Sequence, residues 1–400
     1  MREMKDSGVR WIGKIPVKWN IAKAKNCVEI QNGSDPKTEG SIPVYGSGSM
    51  SFKTCGEYKE GPSVLIGRKG ATLHIPHYIS SKFWNVDTAF NVYSKSIFDL
   101  KYFFYCAHVF DYKLYMSQTT LPSMTQTAYE SMFLPLPTKE EQYAIVNRLN
   151  QVCSEIDIVL EKTRASIEEY KKLKQAVITQ AVTKGVRGDW PMKDSGIEWI
   201  GEIPAEWDVV RIKNLFDYRN ERNFKPLEEV NLISLYTDKG VVQHCDLDET
   251  TGNKASNADG YKLVYENDIV VNIILCWMGA IGRSAYFGVT SPAYDVYSPK
   301  QKTNSKFYHY LFRTNGFSGD CYKVGRGIMA MRWRTYSEQF RAIKVVSPPQ
   351  SEQEEIVEYL DEKCEGIDDL IAKKQQCLTE IENYKKSLIY EYVTGKKEVV

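Results

Sequence analysis

Two long stretches of the chain place apolar residues three and four positions apart, with charged residues between them. The first lies between residues 141 and 181, and its stripe is Ile145, Leu149, Val152, Ile156, Val159, Ile167, Tyr170, Leu173 and Val177. The second stripe is Ile356, Leu360, Ile367, Ile371, Leu378, Ile381 and Leu388. This spacing predicts two amphipathic helices, each of about 40 residues and roughly 60 Å. Because such a stripe must be buried, we predict that the helices pair as an antiparallel coiled coil.

Short extended runs and turns fill the rest of the chain. The segment PSVLIGRKGATLHIPHYIS begins at residue 62, and NDIVVNIILCWMGAIGRSAYFGVTSPAYDVY begins at residue 267. Both alternate β-branched runs with glycine turns, which is typical of strands. Helical patterns appear near 100–110 and 306–314. We therefore predict two mixed α+β globular domains in addition to the long helices. We call these two domains the first head and the second head.

The chain also repeats part of its own sequence. MKDSGVRWIGKIPVKWNIAKAKN at 4–26 returns as MKDSGIEWIGEIPAEWDVVRIKN at 192–214, a shift of 188. A second echo, at a shift of 211, relates the two helical stretches through Glu141-Gln142 and Glu352-Gln353. The segments between these echoes hardly match. Shared frames with divergent interiors indicate two different recognition heads on one scaffold.

Composition is ordinary for a soluble globular chain, with 42% apolar and 26% charged residues and a net charge of +1. The first helical segment carries a net charge of +1 and the second a net charge of −6, which leaves about +6 on the rest of the chain. This positive charge mildly favours binding to a polyanion. The nine cysteines form no C-x-x-C pair, so we expect reduced thiols and no structural zinc site. The start of the chain lacks a basic-then-apolar signal and no apolar run could span a bilayer, so we expect a cytoplasmic protein.

Motifs for catalysis are missing. The chain has neither the G-x-x-x-x-G-K-[ST] phosphate loop nor a Pro-Asp dipeptide of the common nuclease pattern. Ser347-Pro348-Pro349-Gln350 resembles an amino-methyltransferase motif, but its last residue is not aromatic, and we interpret it as a helix start. The pair His74 and His77 would lie on opposite faces of an extended segment. We therefore predict a chain that binds and does not catalyse.

Basic residues in glycine turns, interleaved with hydroxyls and aromatics, are candidates for reading DNA. Arginine can bind guanine O6 and N7 bidentately, glutamine can bind adenine, and serine, threonine and lysine mostly hold phosphates. In the first head the candidates are Arg68, Lys69, Gln118, Thr119, Thr120, Ser123 and Gln126. In the second they are Trp277, Arg283, Arg326, Arg332 and Arg334. Each could instead be a solvated turn residue or, for Trp277, part of the core.

With these motifs, the chain strongly resembles the specificity (S) subunit of type I restriction-modification systems. The resemblance is carried by the doubled frame MKDSG-x-x-WIG-x-IP-x-x-W, the helix starts PLPTKEEQYAIV and SPPQSEQEEIV, the segment LPSMTQ and the ending SLIYEYVTGK. It covers nearly the whole chain. Two features depart from a strict repeat: GRGIMAMRWRTYSEQF replaces TTLPSMTQTAYESM in the second head, and the helices end in Thr183-Lys184-Gly185 and Thr394-Gly395-Lys396.

The resemblance implies an α+β fold in which two target-recognition domains are separated by two long antiparallel helices, with a pseudo-two-fold internal repeat. The expected segments are 1–140 (first domain), 141–188 (first spacer helix), 189–350 (second domain) and 351–400 (second spacer helix). Each domain is expected to read half of a bipartite double-stranded DNA site. The helices are expected to set the gap and to dock two methyltransferase subunits. S-adenosylmethionine would bind those partners, and ATP and magnesium would bind a motor-nuclease partner, so no cofactor is expected in this chain.

Several alternatives stay open from the residues alone. The chain could serve a stand-alone methyltransferase that lacks the motor-nuclease. It could be a coiled-coil scaffold with no role in nucleic-acid binding, or an enzyme with a cryptic methyltransferase or nuclease site.

Overall fold

The computed structural model describes residues 2–95, 98–117, 122–188, 190–244, 257–327 and 333–399. Contacts group the chain into two units. The first unit comprises Met1–Ala165 and Lys374–Val400, and the second comprises Ser166–Lys373. Within the described residues, no helix combines the length and the apolar character needed to cross a membrane.

The described residues of the first copy of the repeat form short strands, three short helices and one long helix. The strands are β1 (Met4–Asp6), β2 (Lys14–Pro16), β3 (Asn20–Lys23), β4 (Val28–Asn32), β5 (Ile42–Tyr45), β6 (Ser51–Cys55), β7 (Ser63–Gly67), β8 (His77–Ile79), β9 (Trp84–Asn85), β10 (Ala89–Ser94) and β11 (Phe133–Leu136). The helices are α1 (Ala24–Cys27), α2 (Leu100–His108), α3 (Gln126–Ser131) and the long α4 (Lys139–Lys184), and a 3-10 turn covers Tyr112–Leu114.

The second copy has the same kinds of element. Its strands are β12 (Met192–Asp194), β13 (Glu202–Pro204), β14 (Asp208–Arg211), β15 (Phe216–Arg219), β16 (Ile233–Tyr236), β17 (Gly240–Gln243), β18 (Lys262–Val264), β19 (Ile269–Asn272), β20 (Ile281–Arg283), β21 (Gly288–Thr290), β22 (Tyr294–Pro299) and β23 (Lys344–Ser347). Its helices are α5 (Ile212–Leu215), α6 (Ser305–Phe312), α7 (Asn315–Val324), α8 (Ser337–Ala342) and the long α9 (Gln350–Val393). Residues 227–229 and 276–278 form 3-10 turns.

An antiparallel four-stranded sheet lies in each head. Its strand order is β4-β10-β7-β8 in the first unit and β15-β22-β19-β20 in the second. One topology therefore repeats where the sequences have diverged. The face of β7 and β10 that carries Val64, Phe90 and Val92 packs in a core with Tyr102 and Phe103 of α2. This arrangement of mixed heads and two long helices confirms the predicted α+β fold.

The two long helices run antiparallel where they pair. In the first unit Lys385 Nζ lies 2.7 Å from Asp157, and Arg164 lies 2.5 Å from Glu382. In the second unit Lys174 lies 2.6 Å from Asp368. Exposed ion pairs contribute at most about 1 kcal/mol each. The apolar residues that line the contact between α4 and α9, here called the apolar seam, must therefore supply most of the stability of the helix pair.

The apolar seam follows a strict heptad repeat. Its buried members on α4 and α9 are Val146, Leu149, Cys153, Leu160, Ile167, Ala181, Val357, Leu360, Cys364, Ile367, Leu378, Leu388 and Tyr392. Val159 and Leu173, which we predicted on the stripe, are 48% exposed. The 3.5-residue period of a supercoil explains the difference, because it moves these two positions off the contact face. Cys377 of α9 is exposed as well.

The end of each long helix binds one copy of the repeated frame. In the second unit the amine of Lys184, the last residue of α4, donates to the carbonyl of Ile200 at 3.1 Å. In the first unit Lys396, just after α9, donates to the carbonyl of Ile12, also at 3.1 Å. Ile12 and Ile200 are equivalent at the shift of 188. The exchanged order of lysine and glycine after the two threonines therefore leads to the same contact.

Candidate nucleic-acid interface

The two candidate segments of the first head lie side by side. The turn after β7 carries Arg68 and Lys69, and the residues before α3 carry Ser123. Met124 donates its amide to the carbonyl of Arg68 at 2.9 Å, and Lys69 forms an antiparallel bridge with Ser123. Ser123 forms a second bridge with Ser117. The structure thus brings three predicted residues, Arg68, Lys69 and Ser123, to one edge of the head.

The side chains along this edge differ in freedom. Lys69 is exposed, and its amine lies 4.0 Å from Asp87, a distance that leaves a weak ion pair. Arg68 is half-buried, with its guanidinium carbon 5.9 Å from the centre of the Phe90 ring. The hydroxyls of Ser117 and Ser123 lie 2.7 Å apart and share a hydrogen bond. The edge therefore offers one exposed cation beside a pair of hydroxyls.

Gln126 is held within the head. It is the first residue of α3, and its amide nitrogen donates to the carbonyl of Ile30 at 3.0 Å and to Glu130 at 2.8 Å. Its amide oxygen accepts from Asn32 at 3.1 Å. Bidentate contact with adenine would require these bonds to open, so the geometry gives Gln126 a role in holding α3 against β4.

In the second head, two arginines face each other across a backbone bridge. Arg326 and Arg334 exchange both backbone hydrogen bonds, at 2.9 and 3.0 Å, and both residues are exposed. The next residue, Thr335, donates its amide to the carbonyl of Ile273, which follows β19, at 2.8 Å. No ion pair with a carboxylate involves either guanidinium within the described part of the chain.

Trp277 and Arg283 have protein partners of their own. Trp277 is half-buried and its ring lies 5.6 Å from that of Tyr322. Arg283, on β20, donates to the side-chain oxygen of Asn267 at 2.8 Å and lies 3.7 Å from Glu266. Neither side chain presents its polar group as freely as the two bridged arginines do. Gln118, Thr119, Thr120 and Arg332 lie outside the described residues.

Two aromatic residues that the sequence did not single out extend this surface. Tyr322 stacks on Trp333 with ring centres 5.0 Å apart and planes 23° apart. The indole of Trp333 donates to the carbonyl of Tyr322 at 3.1 Å. Trp277, Tyr322 and Trp333 therefore form a row of three aromatic rings. The row ends at Trp333, which directly precedes Arg334 in the sequence. The available signal was Trp333 itself, since it stands between two arginines in MRWRT.

A half-buried histidine lies beside this region. The ring of His309 accepts the backbone amide of Arg283 through Nδ1 at 3.1 Å, which requires an unprotonated nitrogen. Burial lowers the pKa of His309 to about 3, and the cations of Arg313, Arg283 and Lys306 add to the effect, while Asp361 opposes it. His309 therefore stays neutral at physiological pH and serves the fold. Within the described ranges, no three metal-binding side chains lie close enough together to hold a metal ion.

Comparison with known proteins identifies the family of the chain. The profile of the type I restriction modification DNA specificity domain matches residues 16–169 and again residues 204–382. The type I restriction enzyme MjaVIII specificity subunit of Methanocaldococcus jannaschii is 26% identical over 298 residues, which are 70% of this chain and 66% of that relative. The EcoDI specificity subunit of Escherichia coli is 21% identical over 313 residues, 70% of this chain and 65% of the relative. The matched part spans just under two thirds of each relative.

A solved structure has the same fold. This structure describes the complex assembly and conformational transition of the type I R-M system. One of its chains aligns with the present chain with a TM-score of 0.68 at 11% sequence identity. The alignment covers 95% of this chain and 98% of that one. Since the family profile matches both copies of the repeat, the chain belongs to the family of type I restriction-modification DNA specificity domains.

Proposed function

We propose that this chain is the DNA-specificity subunit of a type I restriction-modification complex, and that each head reads one half of a bipartite site. One observation carries the proposal. The edge formed by the end of β7 and the residues before α3 recurs at the end of β19 and before α8, and two backbone hydrogen bonds are shared. Met124 to Arg68 corresponds to Thr335 to Ile273, and Ser117 to Ser123 corresponds to Arg326 to Arg334. The side chains on the two edges differ, as two readers of different sequences require.

The chemistry of both edges suits a DNA duplex. Lys69 in the first head and the arginine pair in the second are exposed cations, which can hold phosphates or bind guanine. Neighbouring hydroxyls and aromatic rings can contact base edges and the thymine methyl group. The heads would lie in major grooves of double-stranded DNA and leave the base pairs between the half-sites without direct contacts.

The long helices would have two tasks in this proposal. In each unit a stretch of the two helices pairs through apolar heptad positions, which suits an element that sets the gap between the half-sites. Their outward faces, including the exposed Tyr143 and Tyr384, would dock two methyltransferase subunits. Those partners would bind S-adenosylmethionine and flip the target adenine. Motor-nuclease subunits, with ATP and magnesium, would join through the same core, and the alternative is a methyltransferase complex without them.

Exchange of one head tests the proposal. Residues 1–140 are replaced by the corresponding segment of another specificity subunit, and the chain is expressed with its methyltransferase partner. Methylome sequencing should show a split motif for the original chain, and the exchange should replace only one half of it, because the other head is untouched.

The reciprocal exchange of residues 189–350 is the matched control and should replace the other half. An original chain that gives a continuous motif or none would contradict the proposal. So would an exchange that leaves both halves unchanged.

A further inference from the structure

We propose that the bridge positions before α3 and α8 determine specificity: Ser117 and Ser123 in the first head, Arg326 and Arg334 in the second. The arginine pair reads guanine in the second half-site. This inference rests on the proposed function and names residues and a base within it.

The equivalence of the two bridges is carried by hydrogen bonds and not by sequence. Ser117 donates its amide to the carbonyl of Ser123 at 3.1 Å, as Arg326 does to Arg334 at 2.9 Å. Counting back from the long helices at the shift of 211 pairs Ser123 with Arg334. The segment between the two bridge residues is two residues longer in the second head, from Arg326 to Arg334, than in the first, from Ser117 to Ser123. This length difference hides the match when the sequences are aligned without a gap.

Buried neighbours fix the bridges in the same place. Met124 and Thr335, each directly after a bridge, are 2% and 0% exposed. Tyr129 of α3 and Phe340 of α8, five residues further on in both heads, are each 1% exposed. A residue that alternates with a buried anchor on an extended segment points outward. The side chains of the bridge residues that precede Met124 and Thr335 therefore point away from the core of each head.

The charge of the second bridge points to a ligand. Like charges directly opposite each other on paired strands are destabilising. Arg326 and Arg334 occupy such positions, and among the described residues no carboxylate forms an ion pair with either one. Two guanidinium groups without a carboxylate make a site for electron-rich acceptors. The O6 and N7 atoms of guanine present two acceptors in the geometry that the guanidinium fork matches.

The two heads distribute their cations differently on the shared frame. In the first head the turn after the strand supplies Arg68 and Lys69, and the bridge supplies hydroxyls. In the second head the turn supplies Ile273, and the bridge supplies the arginines. The bridge of the second head therefore supplies two guanidinium groups as bidentate donors, whereas Arg283 is engaged by Asn267 and Glu266.

Two double variants of the full chain, each expressed with its methyltransferase partner, test the inference. Arg326→Ser with Arg334→Ser installs the residues of the first head, and Arg326→Lys with Arg334→Lys keeps the charge but removes the planar fork. Methylome sequencing should show a guanine in the original second half-site. Both variants should lose about ten- to a hundredfold of the preference for it, with the first half-site unchanged.

Arg211→Ser, an exposed arginine on β14 of the same unit, is the control and should leave the motif intact. The lysine variant distinguishes base from phosphate: an unchanged motif in that variant, even with weaker methylation at every site, would mean phosphate contact and overturn the inference. A second half-site without a G·C pair would overturn it as well. If the original chain gives no split motif, the proposed function fails first. If the serine variant does not fold, the lysine variant decides.

Discussion

Two buried glutamines, Gln142 and Gln353, hold the first turn of each long helix in place. The side chain of Gln142 accepts the amide of Asp99 at 2.7 Å and donates to the carbonyl of Pro137 at 3.1 Å. Gln353 accepts from Asn304 and donates to Pro348, each at 2.8 Å. Because Asp99 and Asn304 are the N-caps of α2 and α6, each glutamine joins a long helix to a helix of its head. The Glu-Gln echo in the sequence marks this joint.

Replacing Gln353 with leucine should destabilise the chain. Leucine leaves the partly buried amide of Asn304 and the buried carbonyl of Pro348 without this glutamine, which costs about 2–4 kcal/mol in the free energy of unfolding. Urea unfolding followed by tryptophan fluorescence measures the effect. Gln350→Leu, an exposed residue of the same helical turn, is the control and should change the free energy by less than about 0.5 kcal/mol. An equal loss of unfolding free energy in both variants would show that Gln353 does not hold the first turn of α9 in place.

The neutral histidines should make stability depend on pH. The pKa of His309 is lowered to about 3 and that of His108 to about 4, in both cases chiefly by burial. An unfolded histidine titrates near pH 6.5, so the unfolded state binds protons first as the pH falls. The free energy of unfolding should therefore decrease from about pH 6.5 towards pH 3–4. His309→Gln should make the decrease in the free energy of unfolding between pH 7 and pH 5 smaller by about 1–2 kcal/mol in total.

The exposed His74 provides the comparison for that experiment. Urea unfolding of His74→Gln at pH 7, 6 and 5 should reproduce the slope of the original chain. A slope in His309→Gln as steep as in the original chain would show that burial of this ring does not couple folding to protons.

At the scale of elements, the two long helices use one ion pair twice. Asp157 and Asp368 are equivalent at the shift of 211, and so are Lys174 and Lys385. Each lysine stands at a seam position and reaches an aspartate of the opposite helix, at 2.7 Å in the first unit and 2.6 Å in the second. A charged residue in an apolar seam lowers stability but fixes register. The repeat therefore sets the register of the helix pair at two separate places.

Lengthening both helices should change the gap in the recognised site. Seven residues, one heptad, are inserted after Ala165 in α4 and after Lys373 in α9, so that the seam continues in register. The insertion adds about 10 Å, equivalent to about three base pairs of duplex. Methylome sequencing should find the same half-sites with a gap longer by about three base pairs. Insertion into one helix alone is the control and should abolish methylation, because the seam loses its register. A gap that stays the same in the double insertion would refute the spacer role.

The sequence predicts these elements well where periodicity decides the structure. The stripe between 141 and 181 corresponds to α4, which covers Lys139–Lys184, and the runs around IGRKG and LCWMGAIGR form β7, β19 and β20. The sequence does not predict the contacts that depend on backbone hydrogen bonds between distant segments. The equivalence of Ser117 with Arg326 has no side-chain signature, and Thr-Lys-Gly and Thr-Gly-Lys make one contact from different residue orders. Whether Gln126 could reach DNA also depended on Ile30 and Asn32, two partners distant in sequence.

At the scale of the whole molecule, the repeat does not coincide with the compact units. The predicted segment limits at 140, 188 and 350 follow the sequence and stay a prediction. The units instead each contain one head, the first part of its own long helix and the last part of the other one. In the first unit, Leu388, Ile389, Tyr392 and Val393 of α9 lie in the same core as Trp19 and Tyr102. The first head therefore needs residues from near the end of the chain to complete its core.

This arrangement has a consequence for synthesis on the ribosome. The second unit is continuous from Ser166 to Lys373, so its folding can begin as soon as that stretch has emerged. The first head emerges earlier, but the residues of α9 that close its core are translated after the whole second head. At about 5–20 residues per second, the nascent first head waits roughly 13–50 s for the stretch from Leu136 to Val393, with the side of Tyr102 that faces Val393 uncovered. During that interval we expect it to be the part of the polypeptide most in need of a chaperone.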